Sequence, residues 1–192
     1  MPVGFWLALP EGWFTLDVNP KTAAASVDRL IAHRLLEAPQ LGDEVASIKH
    51  TLTLVAAEAQ RVGIEFSAGY AVNAGDDLVI TANLGISVHT IGEGVSVQAI
   101  EQGLHARGDA KSAIVESGAG TAVKVRGRDR HSLPGGPGVF EVATWQYFVP
   151  VPNSNRLALL SFTTPTLALA DDLDELFDAM VSSFRFTWVE QD

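Results

Sequence analysis

Five histidines, paired carboxylates and no cysteine are the groups from which any catalytic or metal chemistry would have to be built. Two metal ligands on one helix need i, i+3 or i, i+4 spacing, and no two of His33, His50, His89, His105 and His131 stand that close. Glu101 and His105 form one i, i+4 pair on a predicted short helix. Two ligands do not make a site, so no resident metal and no cofactor are expected. The lack of cysteine removes disulfides, thiolate nucleophiles, iron–sulfur clusters and cysteine-type zinc sites. No G-x-S-x-G elbow is present: Ser117 precedes Gly118, which is the wrong order. A hydrolase would therefore need a Ser–His–Asp set assembled only in space. Asp76-Asp77 and Asp171-Asp172 fall in a turn and near a helix start, where acids are structurally favoured, and no catalytic residue is assigned.

Three glycine clusters invite a phosphate-loop test. Gly92-Glu-Gly94 lies between a strand and a helix, but Val97 holds the third glycine position and Glu93 would oppose a pyrophosphate. Gly118-Ala-Gly120 leads into a strand, so it lacks the helix N-terminus that binds phosphate. Pro134-Gly-Gly-Pro-Gly138 lacks the lysine of a P-loop, and its prolines remove amide donors. All three read as turns.

The one concentration of basic charge is Lys124, Arg126, Arg128 and Arg130, at alternate positions, followed by His131. In a strand these four share a face, with Val123 and Val125 on the other. Three readings fit. The strand is a charged sheet edge that blocks unwanted pairing; it docks an acidic protein segment or an anion; or its cations pair internally with the helix acids Asp171–Glu175. If any residues bind a partner, these four are the candidates.

The elements that must position these groups follow from periodicity. Residues 5–9 and 13–16 read as short strands about a turn at Pro10–Gly12. Asn19-Pro20 starts a helix over about 21–37. Leu41, Val45, Ile48, Leu52, Val55, Ala59 and Val62 form one apolar stripe, which predicts a second helix docked on a sheet and ended by Gly63. Strands follow at 64–72 and 78–90, a short helix at about 95–105, and strands at 112–117 and 121–126. A loop is expected from Gly127 to Gly138. A long hairpin at 139–150 and 156–164 turns at Asn153–Asn155, with Pro150 and Pro152 placing that end at a sheet edge or outside the ladder. Thr164-Pro165 opens a helix over about 166–184, with Leu169, Leu173, Leu176, Phe177, Met180 and Phe184 inward. Residues 184–188 close as a strand. Hairpins dominate, so the fold class is α/β of the α+β type: an α/β/α sandwich with a central, mainly antiparallel sheet.

Composition narrows the classes further. The chain has 192 residues, 47% of them apolar, and a net charge of 13 − 23 = −10. A chain of this size buries about 70% of its unfolded surface, enough for one domain spanning 1–192. The acidic balance argues against nucleic acid and against anionic lipid as partners. No apolar run is long enough to span a membrane, the N-terminus lacks a basic leader, and cytoplasmic residence is the expectation. Trp6, Trp13, Trp145 and Trp188 read as sheet-packing residues.

Three segments carry a family likeness: LPEGWFTLDVNP at 9–20, AVKVRG at 122–127, and WQYFVPVPNSNRLALLSFTTPTLALADDLDELFDAMVSSFRF at 145–186. Together they resemble uncharacterised actinobacterial proteins related to the PsbP-like and Mog-like α/β/α sandwich. That likeness implies a central antiparallel sheet between helical layers and a binding or assembly role, without a catalytic residue to carry over. Relatives of that type include lipid-anchored envelope proteins, whose lipobox cysteine is missing here. The expected function is thus a non-catalytic protein-binding or assembly module, with a secretion or envelope system as its setting. The alternatives are a small-molecule carrier with an apolar pocket and a hydrolase with an unrecognised site.

Overall fold

The computed structural model describes residues 2–37, 39–75, 79–92, 96–105, 111–132 and 139–188. In chain order the elements begin with β1 (Pro2–Trp6), β2 (Trp13–Leu16), α1 (Ala23–Glu37), a 3-10 turn at Pro39–Glu44, α2 (Val45–Arg61), β3 (Ile64–Asn73) and β4 (Val79–Thr90). They continue with α3 (Val97–His105), β5 (Lys111–Ser117), β6 (Gly120–Ser132), β7 (Val139–Pro150), β8 (Arg156–Thr164), α4 (Ala170–Ser183) and β9 (Arg185–Trp188). Strands β2-β3-β4-β8-β7-β6-β5 form a seven-stranded sheet in that order, and β1-β9 form a two-stranded ribbon. Every pairing among them is antiparallel. This is the α/β/α arrangement expected, with α4 on one face and α1 and α2 on the other.

One face of the large sheet carries the main core. Trp145, Tyr147, Leu160, Phe162, Leu84 and Ile86 point from it at Leu173, Phe177, Met180, Val181 and Phe184 of α4. Phe177 stacks on Phe162 at 4.4 Å between ring centroids and meets Trp145 edge-on at 5.0 Å. The i, i+4 and i, i+3 apolar spacing of α4 is therefore fully used, as its stripe predicts. The ribbon closes the same core through Phe5, which lies 5.7 Å from Phe184 and 5.9 Å from Phe66.

Four expectations need correction. First, the sheet is not continuous: β1 ends at Trp6 and pairs with β9 instead of turning back on β2. The register Phe5↔Phe186 puts two aromatic rings on the core side, which a β1–β2 hairpin would not do. Second, the expected loop at 127–138 begins later, because β6 stays paired to β7 from Val123↔Phe148 through Ser132↔Val139. Gly127 sits opposite Thr144 without breaking that ladder; residues 133–138 lie outside the described residues. Third, β6 is not an edge, since β5 flanks it on the other side. Fourth, the stripe on α2 is not buried against the sheet. Val45, Ile48 and Leu52 pack on Val27 and Ile31 of α1, only Ala56 and Ala59 of α2 are buried, and Val55 keeps 44% of its surface exposed. Helix α2 docks on α1 over the β2–β3 side of the sheet, so its far flank overhangs the central strands.

Local chemistry explains two boundaries. The Asn19 side chain accepts from the Lys21 amide at 3.0 Å and Asp17 accepts from the Asn19 amide at 2.8 Å, which organises the entry to α1. Gly63, with φ +79°, supplies the left-handed residue after α2. Pro150 pairs only with Leu157 of β8 and lies two residues beyond the first β6–β7 pair, so it costs no interior ladder bond.

Candidate functional site

The four basic residues alternate along β6 as expected, on the face that carries α4, but they do not form one free patch. Lys124 is only 9% exposed. Its Nζ lies 2.6 Å from Asp174 Oδ1 and 2.8 Å from both oxygens of Asp178, on successive turns of α4. Its ammonium also sits 5.6 Å from the Tyr147 ring centroid. The Tyr147 hydroxyl donates to Asp178 Oδ1 at 2.6 Å. Burial first, and then that bond to a carboxylate, push the Tyr147 phenol far above its ordinary pKa, so it remains a donor. Arg126 donates to Asp171 Oδ1 at 2.6 Å, lies 3.7 Å from Asp174 Oδ2 and stacks over Trp145 at 5.5 Å. Arg128 reaches Glu141 on β7 at 3.2 Å, and Arg130 is exposed. Internal pairing with α4 thus accounts for Lys124 and Arg126.

The histidines do not converge. His33 lies on α1, His50 on α2 and His89 on β4; the side chains of His105 and His131 lie outside the described residues. Among the described residues no group of three or more His, Asp or Glu is placed to hold a metal. His89 Nε2 lies 2.7 Å from Ser87 Oγ, a pairing that i, i+2 spacing on one strand face makes natural. Ser87 is only 6% exposed, and among the described residues no carboxylate bonds to His89. Gly118-Ala119 forms the two-residue turn between β5 and β6, closed by Ser117↔Gly120. Gly92-Glu-Gly94 lies partly, and Pro134–Gly138 wholly, outside the described residues.

The larger feature is on the face away from α4. Because α2 rests on α1, a groove of about 490 Å³ opens between α2 and strands β3, β4 and β8. Leu54, Val55 and Val62 form its wall and are all exposed. Its floor is Ser67, Asn83, Ser161 and Thr163, the outward alternates to the core residues Ala68, Leu84, Phe162 and Thr164. Gly85 lets Ile64 lie close: a Cβ there would stand 2.8 Å from Ile64 Cδ1. The one charged lining group, Glu58, is held by Arg61 at 2.7 Å, and that bond lowers its carboxyl pKa. The groove therefore has an apolar wall and a hydroxyl- and amide-bearing floor, with the ion-paired Glu58 carboxylate as its one charged lining group. Sequence reading missed it. Its trace is the alternation of Asn83 and Gly85 with Leu84 and Ile86, and of Ser161 and Thr163 with Leu160 and Phe162, within the two central strands.

No family model and no curated protein matches the chain. Among solved structures it is similar to LpqN, involved in cell envelope biogenesis of Mycobacterium tuberculosis, at 12% identity and a TM-score of 0.46 over 97% of this chain and 86% of that one. Among the described residues no helix is long and apolar enough to cross a membrane. The class the elements define is a mixed α/β protein with an antiparallel central sheet between helical layers.

Proposed function

We propose that the protein is a non-catalytic binding or assembly module that takes an extended, uncharged protein segment in the groove between α2 and the sheet. The observation that carries this reading is the solvent-facing apolar flank of α2, Leu54, Val55 and Val62, set against an uncharged hydrogen-bonding floor. Exposed aliphatic residues gathered along one wall mark a contact surface more than a solvated helix face does. The groove meets solvent along the exposed wall of Leu54, Val55 and Val62, which suits an extended segment laid against α2. Binding is favoured over hydrolysis because Ser87 is buried and its partner His89 lacks an orienting carboxylate among the described residues. The kinship with PsbP-like and Mog-like proteins, and a secretion or envelope setting, remain part of this proposal. A second reading, the small-molecule carrier, is supported by the groove volume, which lies in the range of ligand pockets, roughly 300–1,000 Å³.

Affinity capture from the native cell with Val55→Asp and Arg128→Glu variants tests the reading. A protein retained by the parent and by Arg128→Glu but lost with Val55→Asp supports it. Retention by Val55→Asp with loss on Arg128→Glu moves the site to the basic strand. An organic ligand released from the denatured protein, with no protein lost in either variant, favours the carrier.

A further inference from the structure

A second cavity, distinct from the groove, lies between the β1–β9 ribbon and the ends of β3, β4 and β8. Its volume is about 70 Å³, and its walls include Gly4, Phe5 and Phe186 of the ribbon together with Val88, Glu65 and Arg156. We propose that it binds a small α-amino acid as the zwitterion, with the ligand carboxylate on Arg156, its ammonium on Glu65 and its side chain against Phe5 and Phe186.

Arg156 is the unusual cation of the molecule. It pairs with Thr90, two residues before Ala158 pairs with Val88, so it shares the sheet face of Val88, which packs on the main core. Among the described residues four cationic side chains are buried or half-buried: Arg34, Lys124, Arg126 and Arg156. Arg34 donates to the Gly12 carbonyl, and Lys124 and Arg126 meet the acids of α4. The Arg156 guanidinium makes no ion pair or hydrogen bond among the described residues. A guanidinium held partly out of water without an anion is costly, and a carboxylate that it grips through two parallel N–H bonds offsets that cost.

Glu65 reaches the same cavity through a break in the β3–β4 ladder. Ile64 pairs with Ser87 and Phe66 with Ile86, so Glu65 is the extra residue of a β-bulge. The bulge turns the strand over. Ile64 lines the groove and Phe66 packs against the main core, whereas in an unbroken strand residues two apart share a face. Glu65 likewise makes no ion pair with Arg156 or with any other cation among the described residues.

Two unpaired charges of opposite sign select the ligand. A bare anion would satisfy Arg156 and be repelled by Glu65, and a bare cation would meet the reverse. A molecule that carries both charges on one carbon answers both. Size sets the limit. At roughly 15 Å³ for each water-sized position, about 70 Å³ holds about five of them, which suits alanine or serine. Sites for larger ligands run to roughly 300–1,000 Å³. Phe5, Phe186 and Val88 supply apolar contact for a methyl or hydroxymethyl group, and Gly4 adds a wall without a side chain.

The test is a titration of the isotope-labelled protein with L-alanine, acetate and ethylamine in turn, followed by amide NMR. L-alanine is expected to give saturable shifts at Phe5, Val88, Arg156 and Phe186 with a Kd below about 10 mM, a range open to a ligand of roughly six non-hydrogen atoms. Acetate and ethylamine are each expected to bind at least about tenfold more weakly. Glu65→Gln and Arg156→Gln are each expected to raise the Kd for L-alanine at least about tenfold, while Leu54→Lys on the groove leaves it unchanged. The three probes compared on the parent need no variant, so that comparison stands if a substitution disturbs folding. No saturable shift up to about 100 mM L-alanine overturns the proposal. Acetate binding as tightly as L-alanine, or an affinity indifferent to Glu65→Gln, describes a plain anion site and overturns it too. Saturable shifts confined to the Asn83 and Ser161 amides place the ligand in the groove and also overturn it.

Discussion

Among the described residues Lys124 is the most enclosed charge. Its ammonium meets two carboxylates of α4 and the face of Tyr147, and its stem is packed inside the β6–α4 contact. Removing it as Lys124→Met would leave Asp174 with only the Arg126 guanidinium at 3.7 Å and Asp178 with only the Tyr147 hydroxyl. Because Asp178 retains access to water, the expected cost is about 1–3 kcal/mol in urea unfolding, below that of a fully enclosed pair. Arg128→Ala breaks an exposed pair and is expected to change stability by less than about 0.5 kcal/mol. Equal costs for the two would show that the structure misplaces α4 against β6. Asp17 gives a pH-dependent counterpart. The Thr22 hydroxyl, then the Asn19 amide, hold its carboxyl below the ordinary 3.8. A lowered native pKa stabilises the fold fully above the unfolded value, and that contribution is lost as pH falls through the native value. Asp17→Asn is therefore expected to flatten the acid side of the stability profile near pH 4 and below; an unchanged profile would contradict the assignment. The alternation of the basic residues was readable from spacing alone. Their partners were not, because which turn of α4 lies over β6 is decided by tertiary packing.

The two amphipathic helices α4 and α2 show the same sequence signal meeting different ends. The stripe Leu173–Phe177–Met180–Phe184 is swallowed by aromatic residues of β7 and β8. Phe177→Ala is expected to cost about 3–5 kcal/mol. The stripe of α2 is shared between α1 and solvent, so Val55→Ala is expected to cost less than about 0.5 kcal/mol by the same unfolding measurement. A large loss at Val55 would mean that α2 lies on the sheet after all and that the groove is closed. Periodicity shows that a helix has an apolar side and does not say what covers it. The β7–β8 hairpin was legible to the residue because Pro150, Pro152 and Asn153, with φ +55°, punctuate it. The β1–β9 ribbon was not, since its partners lie at opposite ends of the chain. The end of β6 was misread because Gly127 is a turn signal that the long ladder with β7 overrides.

Over the whole molecule, charge and apolar surface are divided between the two sides of one sheet. The side bearing α4 pairs Lys124 and Arg126 with its own acids and buries its aromatic residues. The opposite side leaves central strands β4 and β8 partly uncovered, flanked by exposed aliphatic residues of α2. A groove of this kind is formed by where a helix fails to reach, which is why no motif announced it. A photo-crosslinking amino acid placed at Asn83, on the groove floor, and separately at Arg128, on the basic strand, reads out directly which side meets a partner in the living cell. The proposed groove function predicts discrete protein adducts from position 83, suppressed by Val55→Asp, and none from position 128. Adducts from position 128 alone would contradict it.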